Sequence, residues 1–168
     1  KSASSTLLKI TLITVNYPLI FMVYLFEYKE LVYQIIGAAM TVHSELGYGL
    51  LEPVYQEALQ LELKDRGIES AREQELKIYY KQHLLEKTYR MDMVVGDVIV
   101  ELKSVSELVA GHRAQLCNYL RLARKPMGIL INFGEECLVG ERWAYDKTTN
   151  RCFVVDRNML PVPREYEE

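Results

Sequence analysis

Cysteine and histidine are scarce in this chain. The three cysteines, Cys117, Cys137 and Cys152, are odd in number and share no short metal-ligand spacing. That excludes a disulfide framework and fits the reduced thiols of a cytoplasmic protein. The three histidines, His43, His83 and His112, are scattered, which argues against zinc chemistry. Positive charge is also short, with 20 Lys and Arg against 23 Asp and Glu and a net charge of −3. The resulting pI near 5.7 excludes a protein that coats nucleic acid by bulk electrostatics. It leaves room for one that meets phosphates through a bound cation and a local basic patch. No internal repeat or low-complexity tract is present. Long hydrophobic runs are nearly missing. The stretch from Leu7 to Phe26 is largely apolar, but Lys9, Asn16 and Pro18 interrupt it. A spanning helix wants about 20 predominantly apolar residues, so membrane attachment is not expected. No small-residue cleavage site precedes Glu27, which argues against a signal peptide. Residues 1–26 are expected to be an apolar extension outside the main fold.

What is present suffices for one domain. At 168 residues and 49% hydrophobic content, the chain can bury a sizeable core. Its centre of interest is residues 90–105, RMDMVVGDVIVELKSV. Two apolar runs flank Gly96-Asp97, a pair suited to a two-residue hairpin turn. With that loop, Val95 pairs with Val98, Val94 with Ile99, Met93 with Val100, and Asp92 with Glu101. Alternation then puts Asp92, Val94, Ile99, Glu101 and Lys103 on one face. Two carboxylates directly opposite each other lie about 4.5–5.5 Å apart at Cβ, and like charges there repel. A divalent cation would offset that repulsion, because Mg²⁺ takes one or two carboxylates plus waters and phosphate oxygens. Asp, then Glu-x-Lys on the next strand, outlines a site for metal-assisted phosphodiester hydrolysis. The plainer alternative is an ordinary solvent-exposed strand face.

Around this hairpin the period changes several times. Leu31, Ile35, Ile36, Ala39, Val42 and Leu46 follow helical spacing over residues 28–46, stopped at Gly47-Tyr48-Gly49. A second helix is expected over residues 50–66, with Pro53 in its first turn and Leu51, Val54, Ala58 and Leu61 as its core stripe. Glu52 lies in that first turn beside Tyr55 and Gln56. An acid there is explained equally by the helix macrodipole and by a functional role. Leu76, Ile78 and Tyr80 alternate as a strand, and after Lys81-Gln82-His83 another strand leads into Asp92. Residues 111–123 return to helical spacing, with Leu116, Tyr119, Leu120 and Ala123 facing inward. Gln115 and Tyr119 stand one turn apart. His112, at the helix start, is placed to meet an anionic group. Arg113, Arg121 and Arg124 read as a solvated stripe. Residues 127–133 form a buried strand, residues 143–145 and 152–155 weaker ones, and residues 158–168 a loose tail.

The order helix, three strands, helix, strand, with Asp92 and Glu101-x-Lys103 on the second and third strands, resembles the PD-(D/E)XK nuclease superfamily. Gly49-Leu50-Leu51-Glu52-Pro53-Val54-Tyr55 is similar to the Gly-x-x-Glu-x-x-Tyr signature of GxxExxY proteins, and Gln115-x-x-x-Tyr119 resembles an element of RecB-like members. The resemblance implies an α/β (α+β) restriction-endonuclease-like core, αβββαβ, with a mixed central sheet flanked by helices, over residues 27–157. It implies a Mg²⁺- or Mn²⁺-dependent nuclease acting on DNA. Asp92, Glu101 and Glu52 would be metal ligands, and Lys103 would orient water and stabilise developing charge. Gln115, Tyr119 and His112 would border the nucleic acid. The competing reading is a catalytically silent nucleic-acid-binding or accessory module. A homodimer or a partner protein stays open at this level.

Overall fold

The computed structural model describes residues 19–162. Among these residues, ten elements follow in chain order: α1 (Leu19–Phe26), α2 (Lys29–Leu46), α3 (Glu52–Asp65), β1 (Ala71–Tyr80), β2 (His83–Val95), β3 (Val98–Lys103), α4 (Ala110–Ala123), β4 (Met127–Asn132), β5 (Val139–Asp146) and β6 (Arg151–Val155). The strands form one six-stranded sheet in the order β1-β2-β3-β4-β5-β6. Only β3 and β4 run parallel, and the other neighbours are antiparallel. A parallel pair cannot be closed by a tight turn, and here α4 makes the crossover. This is the mixed sheet with flanking helices that the αβββαβ order predicts, in an α+β fold of restriction-endonuclease type.

The β2–β3 hairpin turns at Gly96, whose φ of +57° suits the first loop position of a two-residue turn with glycine there. The pairs Val95–Val98, Val94–Ile99 and Met93–Val100 form as the sequence predicts. Alternation along β3 sends Val98, Val100 and Leu102 into a core with α1, α2 and α3. It sends Ile99 into a second core with Leu116, Tyr119 and Leu120 of α4 and Trp143 and Tyr145 of β5. Strand β4 is buried along its whole length, which is why MGILIN reads as an unbroken apolar run rather than an alternating one.

Helix α3 turns a different stripe inward from the one its sequence suggests. Leu51, Val54 and Leu61 are exposed, whereas Tyr55, Leu59 and Leu63 are buried. Both stripes have helical spacing, so periodicity alone does not choose between them. Packing does, because the Tyr55 ring stacks on Phe133 at 4.3 Å between centroids and 13° between planes. The extension differs as well. Leu25 of α1 is fully buried and Phe21 packs edge-on against Phe153, so these two residues of α1 join the core, while Val23, Tyr24 and Phe26 stay exposed. At the other end Met159 is buried and Pro161 bridges to Val155, so residues 158–162 are held against β6. The rest of the N-terminal extension and the tail expected to be loose lie outside the described residues. Among the described residues, no helix is long and apolar enough to cross a membrane.

Candidate active site

The site forms where β2 parts from β3. Their ladder runs from Val95–Val98 to Met93–Val100 and does not continue as an Asp92–Glu101 pair. Met91 and Val94 both pack in the α4-side core and Met93 in the other, which strict alternation would not allow. The irregularity therefore falls at Asp92. Opposite it on β1, Glu73 adopts a φ of +53°. The Asp92 carboxylate reaches across instead: Leu102 N–H donates to its Oδ2 at 2.8 Å. From α3, Gln56 Nε2 donates to Oδ1 at 3.0 Å. Both carboxylate oxygens are thus fixed, one by β3 and one by the helix.

Glu101 and Lys103 stand two residues apart on β3. Lys103 Nζ donates to Glu101 Oε1 at 2.6 Å, with side-chain exposures of 11% and 1%. Glu101 Oε2 is buried and has no hydrogen-bond partner among the described residues. An unpaired buried carboxylate oxygen is costly. Burial, and then the Asp92 charge, raise the Glu101 pKa from 4.5 to about 7, despite the opposing pull of Lys103. Burial also raises Asp92, against its hydrogen bond from Leu102. Glu52 is raised by burial and by Asp92, with Lys103 opposing. Burial acts to lower Lys103, but the hydrogen bond and charge of Glu101, with Glu52 and Asp92, leave it raised. All four shifts have one cause: three carboxylates share one ammonium in a poorly solvated place. The pocket has an excess of negative charge.

That donor set suits a hard cation. Mg²⁺ is commonly held by one or two carboxylates with the remaining positions left to water and phosphate, and the free Glu101 Oε2 beside Asp92 meets that need. Among the described residues, no three Asp, Glu, His or Cys side chains converge tightly enough to form a metal cluster by themselves. Glu52 shares the electrostatic field of Asp92 and Lys103 without joining such a group.

Glu52 is positioned by a tyrosine. Tyr55 O–H donates to Gly47 O at 2.8 Å and accepts from Leu50 N–H at 3.1 Å, tying down the glycine loop from inside the core. In the Gly-x-x-Glu-x-x-Tyr stretch, Tyr55 therefore anchors the loop, while Glu52, at the first position of α3, feels the charges of Lys103 and Asp92. On the far side of Lys103, buried Asn132 holds the loop leaving β3. Its side chain accepts from Val105 N–H and Gly134 N–H and donates to Val105 O and Glu135. A Cβ on Gly134 would collide with the Val105 backbone, so only glycine admits this crossing.

Helix α4 closes the other side. Gln115 Nε2 donates to Tyr119 Oη at 2.9 Å, leaving the phenol proton free to donate outward. The Tyr119 pKa is raised by burial, with Glu101 and Asp92 adding to it. Tyr119 also meets Tyr89 of β2 at 5.7 Å between ring centroids. His112 Nδ1 accepts from Val109 N–H at 3.2 Å, so it caps its own helix with one ring nitrogen. Burial and then Lys103 lower its pKa. Arg113 departs from the solvated stripe and forms a bidentate pair with Glu141. Sequence reasoning gave no role to Gln56 or Asn132. Gln56 had a weak signal, as a polar residue one turn after Glu52, and Asn132 had none beyond its place in an apolar strand.

A family model described as the PD-(D/E)XK nuclease superfamily matches residues 29–143. No curated protein matches the chain. Among solved structures, the crystal structure of SSO0001 is similar at 20% identity and a TM-score of 0.46, over 58% of this chain and 52% of that one. The chain thus spans about half the length of that structure.

Proposed function

Because this chain belongs to the PD-(D/E)XK nuclease superfamily, we propose that it is a Mg²⁺- or Mn²⁺-dependent nuclease that hydrolyses phosphodiester bonds in DNA. The observation that carries this reading is the buried Glu101 Oε2, unpartnered among the described residues, in the electrostatic field of Asp92. Asp92 and Glu101 would hold the cation, with Glu52 as an additional acid beside it. A cation bound there would neutralise the carboxylate excess, polarise the scissile phosphate and lower the pKa of a bound water. The chain's own residues supply the rest. Lys103 is held by Glu101 and would orient the attacking water and stabilise charge gathering on the phosphate. Gln56 and the Leu102 amide keep the Asp92 carboxylate in one orientation, as the supporting partners of metal ligands do. Tyr119, Gln115 and His112 would meet the backbone of the nucleic acid. The Gly-x-x-Glu-x-x-Tyr stretch supports placing the chain among GxxExxY proteins within the superfamily.

The test combines Mn²⁺ calorimetry with cleavage on one preparation. Wild type should bind Mn²⁺ and cut at least one of single-stranded, duplex or flapped DNA, whereas Asp92→Ala and Glu101→Ala should lose both. Binding of nucleic acid with no Mn²⁺ affinity and no cleavage would replace this reading with that of a silent binding module.

A further inference from the structure

Strand β2 is 13 residues long, but it pairs with β3 only through Met93, Val94 and Val95. The remainder pairs with β1 alone, from Gln74–Met91 outward to Tyr80–His83. The outer part of this hairpin therefore projects from the sheet as a two-stranded arm, with Asp92 at its root. A solvent-exposed arm is expected to be polar. This one carries Tyr79 and Tyr80 at 60% and 63% exposure, with Leu84, Leu85 and Tyr89 also exposed.

Its charge is local and opposite to that of the chain. Residues 77–90 hold Lys77, Lys81, Lys87 and Arg90 against Glu86 alone, within a protein of net charge −3. Arg90 pairs loosely with Glu73 at 3.4 Å. Lys81 Nζ lies 5.6 Å over the Tyr80 ring, so a cation and a π-face are presented together. At its root the arm is continuous with the candidate site, since Tyr89 meets Tyr119, whose hydroxyl is held by Gln115.

We propose that residues 77–90 form a stacking platform for single-stranded nucleic acid entering or leaving the site at the arm's root. The inference rests on the nuclease reading for the identity of that site. Exposed rings stack on unpaired bases of any sequence while nearby lysines follow the phosphates. The bases of a duplex are already stacked on one another, so a duplex would be gripped through its phosphates alone. A second copy of this chain is the weaker occupant, because Arg72, Glu73, Glu75 and Lys77 line the β1 edge and alternating charge discourages edge-to-edge pairing.

Binding without turnover isolates the arm. Fluorescein-labelled oligo-dT and oligo-rU, and a duplex of matched length, are titrated with full-length protein in EDTA and followed by anisotropy. Wild type should prefer the single strands, and comparing oligo-dT with oligo-rU reports whether the 2′-hydroxyl matters. Tyr80→Ala/Tyr89→Ala, which removes the two rings on the face that meets Tyr119, should weaken single-strand binding by roughly 5- to 150-fold for each stacking ring removed, with duplex binding unchanged. Tyr80→Trp should retain it. Lys81→Ala/Lys87→Ala should lower the slope of log K against log salt by about 1.4. All these side chains are exposed, and unchanged circular dichroism melting confirms intact folding. Single-strand binding unaffected by the tyrosine pair, or a duplex preference in wild type, overturns the proposal. So does self-association that the tyrosine pair abolishes. A wild type that binds single strands in EDTA through these tyrosines yet cuts nothing with Mn²⁺ supports the arm while removing the nuclease reading.

Discussion

Glu101→Gln keeps the shape of the most enclosed carboxylate in the site and removes its charge. The Glu101 pKa is raised from 4.5 to about 7, by burial first and by Asp92 second. A carboxyl that holds its proton more tightly when folded contributes stability that is complete below its unfolded value. That contribution is lost as pH rises through the folded value. The separation between the two values corresponds to about 3 kcal/mol. Asp92 and Glu52 are raised too and act in the same direction. In EDTA, wild type should therefore weaken between pH 5 and pH 8. Glutamine does not titrate, so the same interval should cost the variant ~3 kcal/mol less, or roughly 6–12 °C less in Tm for a chain of this size. Urea denaturation at pH 5, 6, 7 and 8 measures this directly. Saturating Mn²⁺ at pH 8 should restore wild type and leave the variant unchanged. Parallel pH profiles would refute the reasoning, as would a variant less stable than wild type at pH 8. Either result means that the Lys103–Glu101 pair outweighs desolvation, and the account of a carboxylate excess fails.

Lys103→Ala should keep Mn²⁺ binding while cleavage falls about 10²–10³-fold, read by calorimetry and turnover on the same protein. Gln56→Ala frees one oxygen of Asp92 and should lower Mn²⁺ affinity about 10–100-fold with little change in the thermal transition. Tyr55→Phe removes both hydrogen bonds to the glycine loop and should cost about 1–3 kcal/mol in urea denaturation, with cleavage falling further as Glu52 loses its placement. Leu25→Ala should cost about 2–5 kcal/mol. A negligible loss there would return α1 to the status of an appendage.

The strands and their order were legible because the signals that define them are local. Gly96-Asp97 sets the hairpin, strict alternation sets the faces of β3, and Pro126 separates α4 from β4. Glu101 and Lys103 share a face by chain geometry alone, since they stand two residues apart on one strand. The inward stripe of α3 was not legible, because two apolar stripes of equal spacing compete on that helix and a ring stack across the core, Tyr55 on Phe133, selects one. Nor was the inclusion of α1, where Leu25 gains its burial from residues far along the chain. The grip on Asp92 joins positions 56, 92 and 102, and nothing in their separations announces it. Local pattern therefore fixes which chemical groups are available and which strands carry them. That Glu101 is dry, with one oxygen unpaired, follows from long-range packing, because elements distant in sequence exclude the solvent and no local pattern encodes that exclusion.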